Sequence, residues 1–130
     1  MGRGLEEFDL DKIYKLLKLS IKKHADKAYI SKNRGVVILV EETSTARNED
    51  IDKLVETLRT IREDKRFMKA FRLEDAACKI DFILTLHAKS SRNLISKYLL
   101  NKGKKLGVIV LTASCEEDLK NKLKSMGILE

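Results

Sequence analysis

The chain has 130 residues, which suits one domain of ordinary size and is too short for two well-packed domains. Apolar residues make up 43% of it and charged residues 36%, which excludes a disordered or fibrous protein and indicates a soluble domain with its own core. The net charge of +7 points to an anionic partner if the excess is localised. No apolar run approaches the roughly 18 residues of a membrane span, so we expect a cytoplasmic protein that contacts no membrane.

The first third of the sequence predicts a basic helix followed by a hairpin. After a flexible tail over residues 1–9, the apolar residues of 10–24 fall on one stripe of a helix. Residues 28–31 and 36–40 are typical of two strands, and the Asn and Gly of 33–35 suit the tight turn between them. Because the second strand is apolar at every position, we expect both of its faces to be buried.

The rest of the sequence predicts helices that alternate with strands. The predicted elements are a helix over 51–61, a strand over 80–86, a helical face made by Leu94, Ile95, Tyr98 and Leu99, a strand over 108–111, and a helix that begins at the capping box of Ser114 and ends at Gly127. Parallel strands joined by a helix imply a right-handed crossover. We therefore expect one α/β domain over residues 1–130, a mixed sheet of about four strands with helices packed on it, and a C-terminal βαβα unit.

The positive charge is concentrated in two segments. Residues 12–34 hold eight Lys or Arg and one acid, whereas the rest of the chain is neutral overall. Residues 89–105 hold six Lys or Arg and no acid, and they include Ser90 and Ser91 at a predicted helix N-terminus that could receive phosphate. Since aromatic residues make up only 5% of the chain, phosphate contact is expected rather than extensive base stacking. The candidate nucleic-acid-binding residues are Lys15, Lys18, Lys22, Lys23, Lys89, Arg92, Asn93, Lys97, Lys102, Lys104 and Lys105.

Residues that could support catalysis are scattered through the sequence. Cys115 follows a buried strand at a helix start, but the acids at 116–118 oppose a thiolate there. His87 ends a predicted strand without a carboxylate near it in sequence, and Glu41 and Glu42 could hold a metal only with further ligands. The glycines form no nucleotide-binding motif. We therefore expect no catalytic residue, no metal and no cofactor.

The order of elements from residue 36 to 130 resembles the PRPK-binding (TPRKB-type) small subunit of the KEOPS tRNA-modification complex. That family shows an acid-led apolar strand running into a small-residue segment that ends in Arg-Gln-Ile. Here the counterparts are residues 81–86 and 88–94, and the latter segment ends in Arg-Asn-Leu. A helix, a strand and a final helix complete the pattern. Asp81 leads the strand where the family has Glu, and the basic helix before residue 27 has no counterpart.

The resemblance implies a non-catalytic subunit with two partners. It would bind the small atypical kinase of the complex and hold the 3′ end of tRNA, while threonylcarbamoyladenosine is made elsewhere in the complex. Lys89 and Arg92 would then contact RNA, and Asn93 would shape the helix start. The leading hypothesis is therefore an accessory protein that binds structured RNA, with tRNA favoured, together with a protein partner.

Two alternatives remain open from the sequence. The first is a protein-interaction module whose basic face docks an acidic protein surface without any nucleic acid. The second is a small metal-dependent hydrolase or nuclease that uses Glu41, Glu42 or Asp81 with His87.

Overall fold

The chain folds around one mixed β-sheet in this computed structural model, which describes residues 5–19, 21–74, 80–89 and 96–128. The strands are β1 (Leu5–Asp9), β2 (Lys27–Ser31), β3 (Val36–Thr43), β4 (Asp81–Ala88) and β5 (Val108–Thr112), and the helices are α1 (Leu10–Leu16), α2 (Asn48–Glu63), α3 (Arg66–Ala70), α4 (Lys97–Leu106) and α5 (Glu116–Ser125). The five strands lie side by side in chain order. β2 is antiparallel to β1 and β3, whereas β3, β4 and β5 are parallel. The α/β prediction is confirmed, with one strand more than expected.

The sheet buries both of its faces. The face that carries Val37 and Leu39 packs against α1, α2 and α4. The opposite face, which carries Ile38 and Val40, packs against Leu119 and other residues of α5. β3 is therefore buried on both sides, as its uninterrupted apolar run predicts. On the first face α1 lies over β1 and β2, α2 over β3 and β4, and α4 against β5.

The first helix is much shorter than the prediction of residues 10–24. α1 ends at Leu16, and Lys18 adopts a left-handed φ of 60° in the turn that follows. His24 does not close a helix but stacks on Tyr14, with ring centroids 4.1 Å apart. The chain turns back after α1 through the N–H of Leu19, which donates to the Tyr14 carbonyl at 2.7 Å, and the N–H of Ala25, which donates to Thr57 Oγ1 at 2.8 Å. Such contacts between distant residues do not enter an apolar stripe.

Residues 5–9 form a strand rather than the flexible tail that we predicted. β1 pairs antiparallel with β2, from Leu5 opposite Ser31 to Asp9 opposite Lys27. Phe8 packs edge-to-face on the ring of Phe71, with centroids 5.5 Å apart. Five residues with two adjacent glutamates carry too weak a strand pattern by themselves, so the stabilisation of β1 comes from its partners.

The other predicted elements agree with the structure except at their ends, whereas α3 was not predicted. The helix over 51–61 is confirmed and extended at both ends. The hydroxyl of Ser96 caps the start of α4 by accepting the N–H of Leu99 at 3.1 Å. α5 begins after Cys115 instead of Ser114 and is followed, as predicted, by Gly127 with φ of 77°. Leu94 and Ile95 lie outside the described residues. Within the described ranges, no helix has both the length and the apolar composition needed to cross a bilayer.

Candidate nucleic-acid interface

The outward side of α4 is basic and carries no acid. Lys97, Lys104 and Lys105 are exposed, and their spacing places them on one side of the helix. On the inward side Leu99 is buried in the core and Gly103 lies against the backbone of β5. The packing of Leu99 and Gly103 therefore determines which lysines of α4 face the solvent.

Tyr98 is exposed on the same helix, and Lys89 is exposed after β4. Lys89 follows β4 at the end of the sheet where α4 begins, and its N–H donates to the Thr43 carbonyl at 2.9 Å. The side chain of Tyr98 is 68% exposed. The sequence prediction grouped Tyr98 with Leu99 on an apolar face, which is wrong for Tyr98. An exposed tyrosine beside lysines can stack on a nucleobase. If Leu99 and Gly103 had been taken as the buried stripe of the helix, the sequence would have predicted that Tyr98 is exposed. We call Lys97, Lys104 and Lys105 the α4 basic surface.

The charge of the α4 basic surface is not compensated by acids in the described part of the chain. No described Asp or Glu forms a salt bridge with any of its lysines, in contrast to Lys102 on the same helix. The Lys102 ammonium lies 2.9 Å from Asp52 Oδ1 and also contacts Asn48 Oδ1. Lys102 therefore links α4 to the start of α2. The predicted RNA contacts Arg92 and Asn93 lie outside the described residues, as do Ser90 and Ser91.

The lysines of the N-terminal segment lie on a different part of the molecule. α1 and α4 pack on the same face of the sheet, but α2 lies between them. Lys15 is paired with Asp11 at 3.0 Å. Lys22 lines a cavity at the end of α2 that also contains Asp64, whereas Lys18 and Lys23 are exposed. The two basic segments that the sequence predicted therefore form separate surfaces on either side of α2.

Near the end of β4, His87 lies close to Glu42, which is distant from it in sequence. His87 is fully buried, its Nε2 lies 2.9 Å from the Ala113 carbonyl oxygen, and its Nδ1 lies 3.5 Å from Glu42 Oε2. Glu42 and His87 stand opposite each other because β3 and β4 pair in parallel register. The carboxylate partner that the sequence did not offer for His87 thus comes from the neighbouring strand.

The other residues of the hydrolase hypothesis do not join this pair. Glu41 faces the opposite side of the sheet, where its Oε2 lies 3.1 Å from Lys53 Nζ. Asp81 stands opposite Val36, at the other end of β4 from His87. Among the residues that the structure describes, no group of three His, Cys, Asp or Glu side chains could hold a metal ion. Glu41, Asp81 and His87 are therefore not one cluster.

Polar contacts around Glu42 fasten α5 to the sheet. Lys27 Nζ lies 2.7 Å from Glu42 Oε1 and 3.8 Å from Glu116 Oε2. The Tyr29 hydroxyl donates to Glu116 Oε1 at 2.5 Å. The hydrogen bond with Glu7, followed by the one from Tyr29, lowers the pKa of Glu116 to about 2. The hydrogen bond between Glu7 and Glu116 also raises the pKa of Glu7. These contacts lie at the start of α5, where Cys115 occupies the N-cap position instead of the predicted Ser114 and makes no side-chain capping hydrogen bond.

The chain matches no protein-family model, no curated protein and no solved structure. The fold places it in the class of α/β proteins built on one mixed sheet.

Proposed function

We propose that this protein is a non-catalytic accessory protein of the cytoplasm that binds structured RNA, with tRNA favoured, through the α4 basic surface. It acts with a protein partner in a tRNA-modification complex. The observation that carries the proposal is the uncompensated charge of α4, a helix with no acid whose exposed lysines all lie on one side. The resemblance to the KEOPS small subunit supports the choice of tRNA and of a protein partner.

The spacing of the lysines on α4 suits a phosphate backbone. Lys97 and Lys104 are separated by about 10 Å along the helix axis, so the surface can meet more than one phosphate. Tyr98 is exposed on the same helix, and Lys89 is exposed at the end of the sheet where α4 begins. A lysine surface of this kind binds RNA because its contacts with phosphates release counterions, and by itself it does not distinguish one base sequence from another. We therefore expect recognition of RNA shape and charge.

Charge reversal on α4 tests the proposal. We expect the triple variant Lys97→Glu, Lys104→Glu and Lys105→Glu to weaken tRNA binding by at least about tenfold at low salt, because it replaces phosphate attraction with repulsion. Filter binding or fluorescence anisotropy with labelled tRNA measures the dissociation constant. Circular dichroism checks that the variant retains its fold.

A matched triple variant controls for net charge. Lys32, Lys69 and Lys124 are also exposed but lie on the hairpin, α3 and α5. Reversing all three changes the net charge equally and should leave tRNA affinity within about threefold of the original. Equal losses in both variants would contradict the assignment of the surface. A chain that binds no tRNA at low salt but binds an acidic protein through α4 would instead establish the protein-interaction module.

A further inference from the structure

Two aliphatic side chains are exposed to water in the turn that follows α1. Ile21 is 98% exposed and Leu16 is 75% exposed. The N–H of Lys22 donates to the Leu19 carbonyl at 2.9 Å, which places Ile21 at the tip of a tight turn. The side chain of Leu19 packs on the core, so the turn is anchored from inside while Ile21 extends outward. Two aliphatic side chains this exposed in one short turn indicate a contact surface.

Lysines surround these two aliphatic side chains, and no acid lies between them in the sequence. Residues 12–23 contain five Lys and no Asp or Glu. Lys18 and Lys22 are exposed, and no acid among the described residues forms a salt bridge with either of them. Their positive charge is therefore available to an anionic partner. We define the basic turn as Leu16, Lys18, Ile21 and Lys22.

A cavity of about 460 Å³ joins the basic turn to the end of α2 and the start of α3. Lys22 lines it from the turn, and Lys65 and Arg66 line it from α3. Glu63 and Asp64 also line it, but Asp64 is paired with Arg66 at 2.7 Å. Both Lys65 and Arg66 are exposed. The basic turn and the start of α3 therefore form one continuous surface with more cations than acids.

This surface lies at the end of the sheet where the parallel strands begin. Near the end of α2, the guanidinium carbon of Arg62 lies 5.8 Å from the ring centroid of Phe82, the second residue of β4. The turn between β2 and β3 is at the same end and adds the exposed Lys32 and Arg34. Asp26 lies at the opposite end, where its carboxylate accepts the N–H of Glu42 at 2.7 Å. The end of the molecule that carries the basic turn therefore presents both aliphatic side chains among an excess of cations.

We propose that the basic turn is a docking surface for an anionic lipid bilayer. Ile21 and Leu16 enter the boundary between headgroups and acyl chains, while the ammonium groups of Lys18 and Lys22 stay at the level of the lipid phosphates. Such a contact departs from the expectation of no membrane contact, which considered only segments that cross a bilayer. The α4 basic surface lies on the far side of α2, so this inference does not depend on RNA binding.

The chemistry of the basic turn favours a bilayer over RNA or a protein. Lysines alone would suit any polyanion, but an RNA backbone offers no apolar layer to Ile21. A protein partner would need a pocket that admits the tip of the turn and acids placed around that pocket. A bilayer deforms around a convex tip and supplies both phosphates and acyl chains.

A tryptophan at the tip of the turn tests whether it enters the bilayer. The chain contains no Trp, so Ile21→Trp introduces a single fluorophore of this kind. With vesicles of equal parts phosphatidylglycerol and phosphatidylcholine at low salt, its emission is expected to shift to shorter wavelength. Vesicles of phosphatidylcholine alone should leave the emission unchanged. Tyr98→Trp, at an exposed position on α4, is the matched control and should show no shift with either vesicle.

Vesicle sedimentation measures the contributions of charge and of the tip. The original chain should bind the anionic vesicles with an affinity that falls as salt is raised. Lys18→Glu combined with Lys22→Glu should weaken binding by about 25-fold, since each lysine near an anionic surface contributes about fivefold. Ile21→Ser should weaken it by about tenfold, because it removes an inserted aliphatic group. The matched double variant Lys89→Glu and Lys97→Glu, at the other end of the sheet, should stay within about threefold of the original.

Binding of tRNA separates this inference from the proposed function. The double variant at Lys18 and Lys22 should keep its tRNA affinity within about threefold, and a chain that binds vesicles but no tRNA would refute only the proposed function. Three results would overturn the lipid contact: no sedimentation with the anionic vesicles at low salt, equal binding to phosphatidylcholine alone, or an unshifted emission of Ile21→Trp. Loss of tRNA affinity instead of vesicle affinity in the double variant would also overturn it and assign the basic turn to RNA.

Discussion

Glu41→Gln is expected to raise the free energy of unfolding by about 3 kcal/mol at about pH 8, and by much less at about pH 5. Glu41 is 3% exposed, and among the residues that the structure describes only its Oε2 finds a partner, the ammonium of Lys53 at 3.1 Å. Burial, with a smaller contribution from Asp26, raises the pKa of Glu41 from 4.5 to about 7, although Lys53 acts in the opposite direction. The protein therefore buries a carboxyl group that it stabilises poorly in the ionised form.

The sign of this pH dependence follows from proton binding. Between the ordinary pKa of 4.5 and the native value of about 7, the folded state holds a proton on Glu41 that the unfolded state has released. The stability is therefore fully present below pH 4.5 and decreases as the pH rises through about 7. Glutamine resembles the protonated acid and does not ionise, so the variant should lose this part of the pH dependence.

Urea unfolding of both proteins across this pH range measures the effect. Glu49→Gln, an exposed acid in the first turn of α2, serves as the matched control and should change the stability little at either pH. Lys53→Met should destabilise the protein near pH 8, because Glu41 loses its cation. A gain from Glu41→Gln that is equal at both pH values, or a loss near pH 8, would contradict this account.

Gly103→Ala is expected to destabilise the protein by about 2 kcal/mol, although alanine normally favours a helix by about 1 kcal/mol over glycine. A Cβ atom at position 103 would lie 2.8 Å from the Val108 carbonyl oxygen and 3.2 Å from Val110 Cγ2. The first of these atoms belongs to the backbone and cannot rotate away. α4 would have to move off β5 to accept the methyl group.

Asn101→Ala in the same helix measures the effect of helix propensity without the packing effect that we expect at position 103. Asn101 is exposed, so its replacement should stabilise the protein slightly through helix propensity alone. Thermal and urea unfolding of both variants give the comparison. If Gly103→Ala stabilised the protein as Asn101→Ala does, the close approach of α4 to β5 would be refuted, and with it the reason why these particular lysines face outward.

The parts of the fold that could be predicted are those that depend on patterns of adjacent residues. The apolar run of β3 and the helical spacing in α2 are properties of adjacent residues, so pattern alone located both elements. β1 was missed because its stability comes from β2 and from the ring of Phe71, distant in sequence. The length of α1 was overestimated because the apolar stripe continues past Leu16, whereas contacts that turn the chain there, such as the stacking of His24 on Tyr14, do not enter such a pattern.

The candidate site shows the same division between local and long-range information. The absence of acids from residues 89–105 is visible in the sequence, and α4 covers the second half of that stretch. The sequence could not show that Lys102 is paired, because its partner Asp52 lies on another helix. It also could not show that His87 meets Glu42, because that contact depends on the register of parallel strands.

The salt dependence of tRNA binding tests the central claim most directly. If the lysines of the α4 basic surface contact phosphates, a plot of log affinity against log salt concentration should be linear with a slope of about −3, and affinity should fall by about 60-fold from roughly 50 to 200 mM salt. The triple reversal at Lys97, Lys104 and Lys105 should bring the slope close to zero. Absence of tRNA binding at low salt, or binding with no salt dependence, would contradict the account.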